Sequence, residues 1–184
     1  TPVQANDTVV TYMGSDMLNT ITDIAVDGDM IWCATNRGVL RWNLASGEYR
    51  LYALADGLPS YYITAVEVDG SGTKWAGTHS GLYRLGGNDV WERVYPADVT
   101  LVANDFLRIE SLSYDAPTQT LMIGSTYSLT LYDGETWEYM SYEGYGHSQR
   151  ILDSVRDLDG DIWIAPESGY GYGDYGIYRY VDGA

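Results

Sequence analysis

The feature that most constrains this chain is that it repeats itself. Apolar residues alternate with small or polar ones and end on an aspartate in Ile24-Ala25-Val26-Asp27, Val66-Glu67-Val68-Asp69 and Leu112-Ser113-Tyr114-Asp115, with a looser copy in Val155-Arg156-Asp157-Leu158-Asp159. A period of two closed by an Asp reads as a strand entering a turn. Each is followed by a second strand, at residues 31–35, 74–78, 121–125 and 162–166. Its large-residue column is Trp32, Trp75, Met122 and Trp163, spaced by 43, 47 and 41 residues. Third strands follow at 38–42, 81–85, 128–132 and 176–180, and fourth strands, polar and aromatic, at 49–52, 91–95 and 137–142.

A four-stranded antiparallel unit of this length, recurring without helical patterning, is expected to be the blade of a β-propeller. One such sheet cannot cover both of its apolar faces, so neighbouring blades must stack on it. The expected organisation is one all-β domain or part-propeller over residues 1–184. Four repeats fall at approximately 19–59, 60–103, 104–147 and 148–184, after a spare outer strand at 8–13. Val10-Thr11-Tyr12 followed by Asp16-Met17-Leu18 matches Leu51-Tyr52 followed by Asp56-Gly57-Leu58, while the fourth repeat has three strands and lacks its outermost one. The fourth blade is thus expected to be completed by the N-terminal strand or by a neighbouring chain, in a four-bladed ring or as part of a larger one. Pairing would also remove an exposed sheet edge.

Composition agrees with all-β. There are 18 Tyr and 6 Trp against one Phe, and 21 Gly, residues suited to pleated surfaces and tight turns. The formal charge of −16 would repel a polyphosphate, which excludes nucleic acid as an expected partner. Cys33 is the sole cysteine, so no intrachain disulfide can form and no metal site can use two thiolates. No apolar run is long enough to span a membrane. Thr1 to Asp7 carry neither the charged start nor the apolar stretch of a signal peptide.

The second repeat carries a resemblance. Asp56-Gly57-Leu58-Pro59-Ser60, an apolar strand to Asp69, Lys74-Trp75-Ala76-Gly77-Thr78 and Gly81-Leu82-Tyr83-Arg84 follow the order of the two-component regulator propeller repeat. That repeat joins a Gly-Leu-Pro-Ser turn, a Trp-x-Gly-Thr strand and a Gly-Leu-x-Arg strand. The other repeats depart from it, with Ala34 for the glycine in the first, Met122 for the Trp in the third and Ala165-Pro166 in the fourth. What the resemblance implies is a bacterial propeller outside the cytoplasmic membrane, extracellular or periplasmic, that senses small molecules, often carbohydrates, without catalysis.

Ligands of propellers generally bind where the loops from strand four to strand one and from strand two to strand three gather. On that rim the sequence offers Arg37, Tyr61, Tyr62, His79 and Tyr127, together with Tyr170, Tyr172 and Tyr175 in a Gly/Tyr insertion of the fourth repeat. Tyr faces stack on sugar rings, and Arg37 and His79 could orient an anionic or hydroxylated ligand. Tyr145, His147 and Arg150 would decorate the same rim. At the other end, Asp157-Leu158-Asp159-Gly160-Asp161 resembles the first half of a calcium loop, but Ser168 stands where the bidentate Glu is needed, and an ordinary turn is the expected reading. No cofactor is expected. Only His79 and His147 could serve a Ser nucleophile, and no phosphate loop, zinc motif or dinucleotide fingerprint occurs. Binding is therefore expected before catalysis. The alternatives are a structural module assembling through its end strands with copies of itself or other subunits, and a polysaccharide lyase or hydrolase on a propeller scaffold.

Overall fold

The computed structural model describes residues 20–94, 108–126, 128–141, 150–167 and 176–181. They form fifteen strands in four consecutive antiparallel meanders. The first blade is β1 (Ile21–Asp27), β2 (Met30–Thr35), β3 (Gly38–Asn43) and β4 (Tyr49–Tyr52); the second is β5 (Ile63–Val68), β6 (Lys74–Thr78), β7 (Gly81–Leu85) and β8 (Trp91–Val94). The third is β9 (Ile109–Asp115), β10 (Thr120–Ser125), β11 (Ser128–Tyr132) and β12 (Trp137–Ser141), and the fourth is β13 (Ile151–Arg156), β14 (Ile162–Pro166) and β15 (Tyr178–Tyr180). Among the described residues there is no α-helix, only a 3-10 turn at Leu54–Asp56, and no helix long and apolar enough to cross a membrane. The last strand is shorter than the sequence pattern suggested. The spare N-terminal strand lies outside the described residues.

The blades stack through their inner strands, β1 beside β5, β5 beside β9 and β9 beside β13. Three apolar clusters fill the junctions. Trp32, Ala34 and Tyr52 meet Ile63, Val66 and Trp91; Trp75 and Leu82 meet Ile109, Leu112 and Ile123; Met122 and Leu129 meet Ile151, Ile162 and Ile164. Trp32, Trp75 and Met122 of that column thus point from the first three blades into the next. A fully buried Ile such as Ile109, Ile123 or Ile164 contributes about 1.5–3 kcal/mol by leaving water.

The repeat motifs have local causes. A side chain on the glycine of the Trp-x-Gly-Thr strand would enter the neighbouring blade: a Cβ on Gly77 would sit 2.7 Å from Ile109 Cγ2, and one on Gly124 2.8 Å from the Ile151 carbonyl oxygen. The threonine closes the next loop, Thr35 Oγ1 donating to the Gly38 carbonyl at 2.7 Å and Thr78 Oγ1 to that of Gly81 at 2.8 Å. The arginine of the third strand lies over the motif Trp, with Arg41 6.0 Å from the Trp32 ring and Arg179 5.4 Å from the Trp163 ring.

Each inner strand begins with a β-bulge, whose extra residue is Thr22, Thr64, Glu110 or Leu152. A hydroxyl at or next to that bulge donates to the first carbonyl of the next inner strand. The pairs are Thr22 to Ile63, Thr64 to Ile109 and Ser111 to Ile151, each at 2.8 Å.

Tyr52 ties the first blade to the second. It is fully buried, stacks on Trp32 with centroids 5.9 Å apart and donates its hydroxyl to Asp89 Oδ1 at 2.7 Å. Arg50 bridges Asp89 and Asp56. Burial first, and then the carboxylate of Asp89, push the Tyr52 phenol up to about 12. An unfolded tyrosine ionises near pH 10. The fold holds the proton, so this stabilisation is complete below about pH 10 and is lost as the pH rises towards 12. Tyr52→Phe should therefore flatten the fall in urea midpoint over that interval, while costing about 1 kcal/mol at neutral pH. Equal slopes in the two proteins would disprove the assignment.

Candidate functional site

Antiparallel connection places the starts of β1, β5, β9 and β13 at the same end as the β2–β3, β6–β7 and β10–β11 loops. Tyr61 and Tyr62 precede β5 there and are 55% and 45% exposed. Exposed Arg37 and His79 sit in their loops. The ring of Tyr62 lies 5.4 Å from that of His79. The structure thus brings Tyr62 and His79 together. Arg37 lies on the same end one blade away, and Tyr127, Tyr145, His147, Tyr170, Tyr172 and Tyr175 fall outside the described residues.

Beside the Tyr62–His79 pair is a charged group organised by Glu110. The bulge of β9 turns this residue inwards, and its side chain is only 1% exposed. A buried carboxylate must be paired. Oε1 accepts from Arg108 Nε at 2.6 Å, and Oε2 from Arg150 Nη2 at 2.6 Å. Thr126 Oγ1 adds a long contact at 3.4 Å, and Arg150 continues to Glu167 at 3.0 Å. The hydrogen bond that Arg150 donates to Glu110, helped by the charges of Glu110 and Glu167, holds its guanidinium above the ordinary range. Burial, then the charge of Arg108, hold His79 below its ordinary range in spite of Glu110. Arg108 spends Nε on Glu110. Its terminal nitrogens have no partner among the described residues, and the side chain is 45% exposed. The rim therefore presents an anchored, half-exposed guanidinium whose charge is felt by His79, the residue that lies against the Tyr62 ring.

Glu110 and Arg108 were not singled out from sequence, where one acid among 26 looks like ordinary surface. The available signal was positional, since Glu110 occupies the bulge column held by Thr22 and Thr64.

At the opposite end a cleft of about 320 Å³ lies between the hairpins of the second and third blades, near Asp69, Tyr114, Tyr132 and Asp133. Its carboxylates are occupied by their own turns. Asp69 accepts from Ser71, Thr73 and Trp75 Nε1, and Asp133 from the Thr136 hydroxyl, then Thr136 N and Glu135 N, which hold Asp133 down to about 2. The Asp157 turn is built in the same way. Asp157 accepts from Asp159 N, Asp161 N and Trp163 Nε1, and Asp161 takes Arg179. Among the described residues no cluster of three His, Cys, Asp or Glu is placed to hold a metal.

Four meanders stacked inner strand to inner strand are the architecture of a β-propeller. No protein-family model and no curated protein matches the chain. Among solved structures it is similar to the extracellular domain of the proposed hybrid two-component system BT4673 from B. thetaiotaomicron, with a TM-score of 0.70 and 22% identity over 88% of this chain and 21% of that one. The corresponding domain of BT3049 from the same organism gives a TM-score of 0.66 and 23% identity over 94% and 22%. The computationally designed Ika4 protein gives 0.58 and 12% over 88% and 90%. At these identities the likeness establishes a shared fold. The chain spans about a fifth of the length of the two extracellular domains.

Proposed function

We propose that this chain is a non-catalytic sensing module of the two-component regulator propeller type. In this reading it works outside the bacterial cytoplasmic membrane and binds a small carbohydrate-class ligand at the rim. The observation that carries the reading is the exposed guanidinium of Arg108, fixed by buried Glu110 next to the Tyr62–His79 pair. A fixed guanidinium recognises carboxylate or vicinal hydroxyl oxygens, and an exposed Tyr face takes the apolar face of a sugar ring. The two extracellular domains similar in fold come from proteins described as two-component systems, which supports the same assignment.

Titration calorimetry with neutral and uronate-containing oligosaccharides tests it. Binding is expected, and Arg108→Gln should weaken it by about 10- to 100-fold through loss of a charged hydrogen bond. Tyr62→Ala should weaken neutral and acidic ligands alike. Binding to neither class, or equal binding by the Arg108→Gln protein, would overturn the reading.

A further inference from the structure

The fourth blade repeats the Trp column and the inner-strand aspartate of the first blade, and among the described residues nothing covers them. Its Trp163 occupies the column of Trp32 and Trp75, which are each 2% exposed, but is only half-buried. Around it Val155 is 58% and Ile177 70% exposed. Ala165, in the place of fully buried Ala34, is exposed. The result is an apolar depression of about 270 Å³ on a chain whose formal charge is −16.

The existing junctions state what such a face receives, which is the inner strand of another blade. At the first junction Asp23 reaches across, Oδ2 accepting from Val66 N at 3.0 Å while Oδ1 accepts from Ile24 N of its own strand at 2.8 Å. Val66 N is available because its neighbour in the place of Asp23 is Ala65. Asp153 copies Asp23, with Oδ1 accepting from Ser154 N at 2.8 Å. Its other oxygen has no partner among the described residues. Carried across by the same geometry, it would reach the fourth residue of an incoming inner strand.

Blade 1 cannot supply that residue. The fourth residue of its inner strand is Ile24, whose N–H Asp23 already holds, so two carboxylates would converge on one donor. Asp23 is already held above the usual carboxylate range, by burial first, with the charge of Asp153 among the lesser causes. Leu152, at the bulge where Thr22 and Thr64 carry hydroxyls, offers no donor to any incoming strand, so selection at this face falls to Asp153.

We propose that the free face of the fourth blade docks a propeller blade other than this chain's own first blade. That blade has an inner strand uncharged in the place of Asp23, as Ala65 is, with an unclaimed N–H behind it. The face therefore rejects blade 1, whether of the same chain or of a second copy.

The probe is the chain itself with blade 1 altered. Sedimentation equilibrium and oxidative footprinting of Trp163 at neutral pH are compared for the parent, Asp23→Ala, Asp153→Asn, and Asp153→Asn combined with Val155→Glu. The parent should be monomeric with Trp163 reactive. Asp23→Ala gives blade 1 the uncharged residue that Ala65 supplies in blade 2, and the side-chain amide introduced by Asp153→Asn can donate to Asp23. Both should protect Trp163, in a dimer or in a ring closed on itself, with any association at least about tenfold tighter than in the parent once the like charges are removed. Adding Val155→Glu should restore reactivity. A parent that already protects Trp163 by associating through this face would overturn the selectivity. If Trp163 stays as reactive in the folded Asp153→Asn protein as in the parent, the face does not dock a blade. Asp153→Asn changes no residue of the first junction and keeps the Asp23 bond to Val66 N, so it decides the matter even where Asp23→Ala impairs folding.

Discussion

Gly124→Val is expected to uncouple the fourth blade from the third. A Cβ at this position alone would lie 2.2 Å from Ser111 Oγ and 2.8 Å from both Cγ2 and the carbonyl oxygen of Ile151. Because two of these contacts belong to the strand start on which the fourth blade hangs, the sheets must separate to admit a side chain. Overpacking costs about 1–3 kcal/mol. The displaced Ser111 hydroxyl would also leave the buried Ile151 carbonyl without its 2.8 Å hydrogen bond, a further loss of about 1–3 kcal/mol. In a stacked array each unit leans on its neighbours, so the loss should be local. Urea unfolding followed by fluorescence and by circular dichroism should show non-coincident transitions, where the parent shows one. A single transition with an unchanged midpoint would mean that the blades do not meet through Gly124.

Trp75→Ala should be the most destabilising truncation among the motif tryptophans. Trp75 is 2% exposed, meets Tyr132 edge-on at 5.8 Å and donates to Asp69 at 2.8 Å. Removing a buried Trp costs about 3–5 kcal/mol, which for a chain of this length lowers the melting temperature by on the order of 10 °C. Trp163→Ala is the internal comparison. It has the same column position and the same turn bond, to Asp157 at 2.7 Å, but it is only half-buried and no blade among the described residues covers it, so the cost should be about 1 kcal/mol. Calorimetry on both proteins checks the contrast. Equal losses would mean that Trp75 acts through its turn, since the turn bond is what the two positions share.

The pair also shows how far sequence reasoning reaches. Period-two alternation and the Asp turns located the inner strands, and the second-strand column picked out Trp32, Trp75 and Met122, all of which are buried between blades. Pattern alone could not tell that Trp163 stands at an uncovered face. Its place in the repeat matches that of Trp75, and burial depends on what packs on the sheet. The rim was less legible for a related reason. Tyr62 and His79 could be placed by loop position, but Glu110 is meaningful only through the bulge that turns it inwards and the two arginines drawn to it from separate blades. Such convergence between residues 40 positions apart leaves no local pattern. The Asp157 run shows the converse, a motif with the spacing of a cation loop whose first oxygens serve the turn and a tryptophan.

The bulge hydroxyls that join successive blades have an evolutionary consequence. In each pair the donor is a side chain but the acceptor is a backbone carbonyl, that of Ile63, Ile109 or Ile151, and every residue possesses one. The recipient therefore need not co-adapt its side chain at that point. A duplicated or recombined repeat inserts into such a series with its main polar joint already made, and an array of this kind can gain or lose units faster than its individual sheets change. Aspartates in the place of Asp23 and Asp153 are where such exchange meets a rule, because there the joint depends on whether the newcomer's own carboxylate has claimed the amide first.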